Sequence, residues 1–419
     1  MPRKQASTRS WILTDVEQGI WLDKFTVNPA RLKLRTAGKP ARKPGQAGAA
    51  WSITKRTLHG GLADGVDLIQ IDNGAFAFSV LPTRGMNVWR GEYRGLAVGW
   101  QAPIRGPVHP KFVNSADRAG LGWLQGFDEM ICRCGLDSNG APCVDSVLDN
   151  NGNPRNTPLP LHGRIANSPA CHVRVEVVPG ANPGEPVELA VCGVVEESML
   201  FSPHLRLTTR ISTRVGSNAF TIDDEVTNVR GIDAELEILY HCNFGPPFLE
   251  AGSRLVAPSL AVAPRDSRAA EDLASYATYR GPTPGYIEQV YFHELVGSGP
   301  ASQTATGLVN AAADKAVALR FSRVALPCFA QWKNTIPLGD GYVTGLEPGT
   351  NLPNAKPFER AAGRVVNLPP GGSWKGSLQI AVLDSAAAVA DFEREVAGLA
   401  DSRKCEVHNK PRSVWSPGA

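Results

Sequence analysis

The stretch VDLIQIDNGAFAFSVLP, Val66 to Pro82, decides the fold, because apolar and polar residues alternate on both sides of a single turn signal. Alternation with a period of two is typical of a half-buried β-strand, whose successive side chains point to opposite faces of a sheet. Asp72-Asn73-Gly74 separates the two runs, and an Asn-Gly between alternating runs is the strongest short-range signal for a β-hairpin. The stretch therefore predicts two antiparallel strands joined by a tight turn.

The same alternation recurs along the chain, each time between Gly, Pro, Asn or Ser residues. The runs are CHVRVEVV (171–178), HLRLTTRISTRV (204–215), AFTIDDEVTNV (219–229), AELEILYHCNF (234–244), AVALRFSRV (316–324) and WKGSLQIAVLD (374–384). A helical period is convincing only over Ala388 to Leu399, where one stripe holds Val389, Phe392, Val396 and Leu399. A second, short helix is expected around AEDLASYATY (270–279). The pattern predicts a mostly β protein, a large antiparallel β-sandwich of two sheets with few short helices.

Three regions are expected along the chain. Residues 1–50 are polar, end in the Pro/Gly/Ala-rich run AGKPARKPGQAGAA, and are interpreted as an N-terminal arm or linker. Residues 51–400 are expected to form a single β-sandwich domain with a C-terminal helix at about 386–400, because no linker-like break interrupts the strands. Residues 401–419 are left as a C-terminal tail.

The composition narrows the class of protein. A 419-residue chain with 42% hydrophobic residues, 20% charged residues and a net charge of +3 is typical of a globular protein, and its basic residues form no patch suited to nucleic acid. No apolar run is long enough for a signal peptide or a membrane-spanning helix. Eight cysteines are too few for a disulfide scaffold, and Cys132, Cys134 and Cys143 lack the spacing of a zinc site. We expect a cytoplasmic protein with reduced thiols and no bound metal.

Two stretches in the first half of the chain contain polar residues that a strand does not require. Arg84, in LPTRGMNVWR, offers a planar fork of donors suited to vicinal hydroxyls or a carboxylate, or else it pairs with Asp67 or Asp72. The Gly-rich loop GWLQGFDEMICRCGLDSNGAP follows at residues 122–142. Ordered long loops tend to be functional.

This loop contains both apolar and acidic candidates for ligand contacts. Trp123 and Phe127 offer an apolar face to a sugar ring, and Asp128 and Glu129 offer acceptors for its hydroxyls. The alternative is a loop that only closes the end of the sandwich.

Three further stretches supply candidates for proton transfer and binding. In LHGR, His162 and Arg164 are alternate residues that share a face if the chain is extended there. His241 and Asn243 share a face at the end of the run EILYHCNF, where an imidazole is suited to general acid catalysis. Glu347, in GLEPGT, is a candidate base if its surroundings are apolar, and an exposed turn acid otherwise.

Taken together, LPTRGMNV, GFDEMICRCGLDSNGAP, PLHGRIANSPA, LYHCNFGPP and GLEPGTNLPNA resemble motifs of the aldose 1-epimerase (galactose mutarotase-like) superfamily, and most closely its bacterial aldose-epimerase-like branch. The resemblance covers roughly residues 60 to 385 and preserves the order arginine, histidine, histidine, glutamate. It implies that Glu347 takes the proton from the anomeric hydroxyl and that His241 protonates the ring oxygen. It also implies that His162 holds the ring oxygen or a hydroxyl, and that Arg84 or Arg164 binds hydroxyls.

The expected function is thus a cofactor-independent sugar epimerase that interconverts anomers in a cleft on the concave sheet face. Its expected catalytic residues are Glu347 and His241, and its expected substrate-binding residues are His162, Arg84, Arg164, Asn243, Asp128, Glu129 and Trp123. The expected partner is a small carbohydrate, with no nucleic acid or membrane, and nothing in the sequence excludes an oligomer. Two alternatives stay open: an isomerase or lyase for a keto-sugar or uronate, since two arginines suit an anionic substrate, and a non-catalytic sugar-binding protein.

Overall fold

The structure is a computed structural model that describes residues 7–32, 50–180, 182 and 185–418. Its strands in chain order are β1 Arg9–Asp15, β2 Ile20–Trp21, β3 Lys24–Val27, β4 Ser52–Thr57, β5 Asp67–Asp72, β6 Phe76–Leu81, β7 Asn87–Tyr93, β8 Leu96–Val98, β9 Ile131–Leu136, β10 Cys143–Leu148, β11 Pro154–Leu159, β12 Ala170–Val178, β13 Glu188–Ser198, β14 His204–Arg214, β15 Ala219–Asn228, β16 Ala234–Phe244, β17 Arg254–Val256, β18 Ser259–Pro264, β19 Gln289–Leu295, β20 Gln303–Val309, β21 Ala316–Ser322, β22 Cys328–Asn334, β23 Val343–Gly349, β24 Val366–Leu368, β25 Ser373–Leu383 and β26 Glu406–Val407. The α-helices are α1 Asp117–Gly120, α2 Ser267–Ala270, α3 Lys356–Ala361 and α4 Ala386–Ala400.

Most of these strands form two large sheets. The ten-stranded sheet runs β17-β20-β21-β25-β15-β14-β13-β12-β1-β2, and the other runs β26-β18-β19-β22-β23-β16-β9-β7-β6-β5-β4-β3, with β24 and β8 paired to β16 and β7. A separate hairpin joins β10 and β11. Apart from the parallel pair of β18 and β26, neighbouring strands are antiparallel, and this confirms the predicted sandwich.

The hairpin predicted for Val66 to Pro82 is present, as β5 and β6. In β5 and β6, Ile71 pairs with Phe78 and Asp72 pairs with Ala77. Asn73 closes the turn, because its Oδ1 accepts hydrogen bonds from the backbone N–H groups of Ala75 and Phe76. The six other alternating runs are also strands, as the bounds of β12, β14, β15, β16, β21 and β25 show.

The main core lies between the two sheets and contains an ion pair that sequence reasoning did not anticipate. Ile131 and Leu346 from one sheet and Ile211 and Ile222 from the other are among its fully or almost fully buried members.

The ion pair joins the two sheets. Arg133 of β9 donates from Nε to Oδ2 of Asp224 on β15, at 2.5 Å, and both side chains are completely buried. The hydroxyl of Tyr240 donates to the same carboxylate at 2.8 Å. These contacts link β9 and β16 to β15 of the opposite sheet.

The helical predictions are confirmed at one place and corrected at the other. α4 spans Ala386–Ala400, and its stripe of Val389, Phe392 and Val396 is buried in a small apolar cluster, as its period predicts. The single helix expected at 270–279 is wrong. The chain there ends α2 at Ala270 and forms one 3₁₀ turn at Leu273–Ser275, so AEDLASYATY makes separate turns rather than one amphipathic helix.

Both ends of the chain join the sheets. β1 pairs with β12 and β3 pairs with β4, so the predicted arm or linker is part of the sandwich over residues 9–27, where Leu13 and Val27 are fully buried. Its Pro/Gly/Ala-rich run lies almost wholly outside the described residues. In the predicted tail, β26 pairs with β18. Over the part of the chain that the structure describes, no helix has the length and apolarity to cross a membrane.

Candidate active site

The site is centred on His241 and Glu347, which lie side by side on neighbouring strands. β16 and β23 are antiparallel with Cys242 opposite Leu346, so the preceding His241 faces the following Glu347. Because side chains alternate along a strand, Cys242 and Leu346 point into the core while His241 and Glu347 point to the other face of the sheet. Nε2 of His241 is 3.2 Å from Oε1 of Glu347, and the two residues are only 5% and 3% exposed.

Asn243 sets the orientation of the imidazole. Its Oδ1 lies 2.6 Å from Nδ1 of His241, and its Nδ2 donates to the backbone carbonyl of Glu129 at 2.9 Å. Since the amide nitrogen is committed as a donor, its oxygen must accept, and the Nδ1 of His241 therefore carries a proton. The Nε2 of His241 is then free to exchange a proton with Glu347 or with a ligand.

Burial governs the protonation of the pair. It raises the pKa of Glu347 to about 8, and the negative charge of Glu288 adds to the effect. Burial also lowers the pKa of His241 to about 4, and the hydrogen bond that its Nδ1 donates to Asn243 opposes this shift. Both directions favour the uncharged pair, a carboxylic acid next to a neutral imidazole. At neutral pH the proton that Glu347 and Nε2 of His241 can exchange therefore lies on the glutamate.

Aromatic rings enclose the pair. The rings of Phe127 and Trp332 lie 5.0 Å and 5.3 Å from the His241 ring, centroid to centroid. Trp123 stacks at 4.5 Å on Phe127 and is 2% exposed, and its indole Nε1 has no hydrogen-bond partner among the described residues. A ring-shaped ligand in this position would contact apolar ring faces and one unused N–H donor.

His162 completes this enclosure, although not through the extended chain that was expected. Its ring centroid lies 4.7 Å from Trp123 and 5.6 Å from His241, and its Nδ1 is 3.1 Å from Oδ1 of Asn139. Burial, with a smaller effect of His241, lowers the pKa of His162 well below its ordinary value, so it is a neutral hydrogen-bonding group.

The expected shared face of His162 and Arg164 is wrong. His162 has φ 56° and Gly163 has φ 71°, so the chain turns instead of extending. Arg164 lies on the exposed surface, where it precedes a 3₁₀ turn.

Arg84 and Glu129 are placed inside the protein, and the pairing of Arg84 with Asp67 or Asp72 does not occur. The guanidinium of Arg84 is 1% exposed and donates to Glu129 at 2.6 Å, to the carbonyls of Val108 and Gly126, and to the side chain of Asn167. These contacts occupy all three nitrogens of the guanidinium. Arg84 thus anchors the Gly-rich loop that carries Trp123 and Phe127, and four of its five N–H donors are used inside the protein.

Sequence reasoning missed three residues at the open side of the pair. Nε1 of Trp332 donates to Oε2 of Glu288 at 2.7 Å, and Arg265 forms an ion pair with the same carboxylate at 3.2 Å. Trp332 lies on β22, Glu288 directly precedes β19, and Arg265 directly follows β18. No local pattern connects these positions, and only the pairing of β18, β19 and β22 brings them together.

The centre of the site is formed by side chains that can give or accept a proton. Within residues 7–32, 50–180, 182 and 185–418, no group of three or more His, Cys, Asp or Glu side chains is arranged to hold a metal ion. All eight cysteines are free thiols, and burial raises the pKa of Cys132 and Cys134, which lie on the same face of the sheet as the pair. The arrangement suits the transfer of a proton at a desolvated centre.

Comparison with known proteins shows which family and fold this chain is similar to. Residues 63–382 match the model of a family described as a domain of unknown function, DUF4432. The crystal structure of a Klebsiella pneumoniae protein proposed to be an aldose 1-epimerase is 34% identical, covers 97% of this chain and 99% of its own, and superposes with a TM-score of 0.87. A galactose mutarotase-like protein from Clostridium acetobutylicum shares the fold at 15% identity and a TM-score of 0.54, over 79% of this chain and 98% of its own. Among curated proteins, no sequence matches the chain.

Proposed function

Because this chain belongs to the DUF4432 family and to the aldose 1-epimerase (galactose mutarotase-like) superfamily, we propose that it interconverts the anomers of a sugar by opening and reclosing its ring. One observation carries the proposal: Nε2 of His241 and Oε1 of Glu347 lie 3.2 Å apart on one buried face. Two groups that exchange acid and base roles are all that the reaction requires.

The chemistry balances with these two groups alone. A base takes the proton of the anomeric hydroxyl while an acid protonates the ring oxygen, and the bond between C1 and the ring oxygen breaks to give an open-chain aldehyde. Rotation about the C1–C2 bond exposes the other face of the carbonyl. The reverse transfers then close the ring as the other anomer, and each group regains its original proton state.

The family resemblance assigns the base to Glu347 and the acid to His241, so the cycle has to begin from the protonation states that burial gives these two groups. The resting proton is on Glu347, as the raised pKa of its carboxyl and the lowered pKa of His241 indicate. Transfer of that proton to Nε2 of His241 gives the carboxylate and the imidazolium that the assigned roles require. Asn243 supports this step, because its Oδ1 accepts from Nδ1 and stabilises the charged imidazole.

Substrate contacts are proposed for a smaller set than the sequence suggested. Trp123 and His162 border the pair and offer an indole N–H and an imidazole to hydroxyls or to the ring oxygen. Asn243 acts by orienting His241, and Arg84 by holding the loop. Arg164, on the surface, is left out of the proposed contact set.

The test follows optical rotation or exchange spectra by nuclear magnetic resonance for freshly dissolved aldoses and uronates. Wild-type protein should accelerate anomer exchange, and Glu347→Gln and His241→Gln should each reduce the rate by about 10²- to 10⁴-fold. Glu17→Gln, an exposed glutamate in the turn between β1 and β2, is the matched control and should leave the rate unchanged. No acceleration by the wild type with any sugar would refute the proposal. A new product without anomer exchange would support the isomerase or lyase alternative instead.

A further inference from the structure

We propose that a cleft beside the His241–Glu347 pair is a second binding site, which takes a saccharide unit bearing an acidic group. The cleft has a volume of about 720 Å³, within the range of ligand pockets, and its lining includes Trp89, Arg90, Trp100, Arg105, Asp128 and Tyr342. Nothing in the proposed proton transfer uses these residues. The site binds its ligand whether or not anomers are exchanged, so it goes beyond the proposed function.

The cleft and the catalytic pair share one aromatic wall. The ring of Trp100, which lines the cleft, is 5.1 Å from the ring of Phe127, and Phe127 is 5.0 Å from His241. Nε1 of Trp100 donates to the backbone carbonyl of Glu129, which also accepts from Asn243. A ligand in the cleft therefore lies one aromatic layer away from the proton-transfer pair.

Asp128 is the observation that points to a polar ligand. The residue is 5% exposed, and its Oδ2 accepts a hydrogen bond from Nε1 of Trp89 at 2.9 Å. Its Oδ1 is buried and has no hydrogen-bond partner among the described residues. A buried acceptor without a partner is costly, so a hydroxyl of a ligand would relieve the cost.

The backbone at Gly106 packs closely against the carboxylate of Asp128. A Cβ at Gly106 would lie 1.8 Å from Oδ2 of Asp128, so the backbone of residue 106 packs directly against it. Backbone on one side and Trp89 on the other hold the carboxylate in place. A prearranged acceptor of this kind gives a binding site its selectivity for hydroxyl donors.

The charge of the cleft favours an acidic ligand. Arg90 and Arg105 line it, and within the described residues neither forms an ion pair. Among the described residues that line the cleft, Asp128 is the one acidic residue, and burial and Glu129 raise its pKa to about 7, so it is partly protonated at neutral pH. The guanidinium of Arg90 also lies over the Trp89 ring at 3.8 Å, which keeps it near the aromatic wall. Two cations with at most one anion leave a net positive lining that suits a carboxylate or a phosphate.

The test is calorimetric titration with two methyl glycosides that differ only in charge, methyl α-D-glucuronide and methyl α-D-glucoside. Their locked anomeric centres cannot be turned over, so binding is measured without catalysis. The glucuronide should bind about tenfold or more tightly than the glucoside, as expected for one charge-assisted contact. Arg105→Gln, an exposed substitution with no expected effect on folding, should remove most of this preference.

Two more variants separate this site from the proton-transfer pair. Asp128→Asn replaces the free acceptor by a donor of the same size and should weaken binding of both glycosides. Glu347→Gln and the control Arg214→Gln, an exposed arginine on the other sheet, should leave binding unchanged. Equal binding of the two glycosides, no binding of either, or a loss with Glu347→Gln but not with Arg105→Gln would each overturn the proposal. None of these results depends on whether the protein exchanges anomers.

Discussion

Gly345→Ala is the sharpest perturbation of the proposed catalytic pair, because it adds one methyl group next to the carboxylate of Glu347. Gly345 lies on β23 opposite Asn243, with an ordinary strand backbone that alanine can adopt. A Cβ built there would lie 2.4 Å from Oε1 of Glu347 and 3.0 Å from Cε1 of His241. The methyl group therefore occupies the space in which the two side chains meet.

The size of the effect follows from this distance. Ordinary van der Waals contact begins at 3.4 Å, so Oε1 of Glu347 must move by about 1.0 Å from its position at 2.4 Å. A 1 Å misplacement of a reacting group costs about 10²-fold in rate, which corresponds to roughly 2.7 kcal/mol of activation free energy. The clashing atom is the end of a flexible side chain, so the free energy of unfolding should change by only about 1 kcal/mol.

The assay is the rate of anomer exchange of an accepted aldose, measured together with urea unfolding of the same samples. Gly231→Ala is the matched control, because a Cβ at that glycine meets no heavy atom within 4 Å and its backbone needs no left-handed conformation. The control should keep both rate and stability. A folded Gly345→Ala protein with the rate of the wild type would refute the reasoning, since it would show that the position of the Glu347 carboxylate does not matter.

Four further outcomes are expected. In the proposed mechanism the singly protonated pair is the active form, so kcat/KM should fall below about pH 4 and above about pH 8, the pKa values of His241 and Glu347, in a pH–rate profile. Glu288→Gln removes a negative charge that raises the pKa of Glu347, and the alkaline limb of that profile should move to lower pH. Asn243→Ala frees the imidazole of His241 and should lower kcat by about 10- to 100-fold with a smaller change in KM, as steady-state kinetics will show. Asp224→Asn leaves a buried arginine without its counter-charge, and the free energy of unfolding in urea should fall by about 3–5 kcal/mol.

The strand pattern was readable from the sequence because it is local. Alternation placed β5, β6 and β16 correctly, and it put His241 and Asn243 on one face, where the 2.6 Å contact between their side chains confirms it. The stripe of α4 was readable for the same reason, since a helical period needs only one turn of neighbours.

Predictions failed where a residue's surroundings come from distant parts of the chain. Arg84 matches a sugar-binding arginine in its motif, yet Glu129 and three backbone or amide acceptors from other segments enclose it. At His162, alternation assumed an extended chain, whereas the left-handed backbone there turns it. β1 and β3 were missed because runs in a polar segment become strands only when β12 and β4 offer an edge.

By itself, the sequence determined the strands, the faces of their side chains and, through family motifs, the residues worth placing in a site. Only the tertiary structure decided that Nε2 of His241 lies 3.2 Å from Oε1 of Glu347 and that Trp332 and Glu288 border the two residues. It also decided that burial raises the pKa of Glu347 and keeps its carboxyl protonated. The physical reason is that alternation depends on nearest neighbours along one strand. The distance between two side chains and their desolvation depend instead on the register between strands far apart in the chain, and on what packs above them.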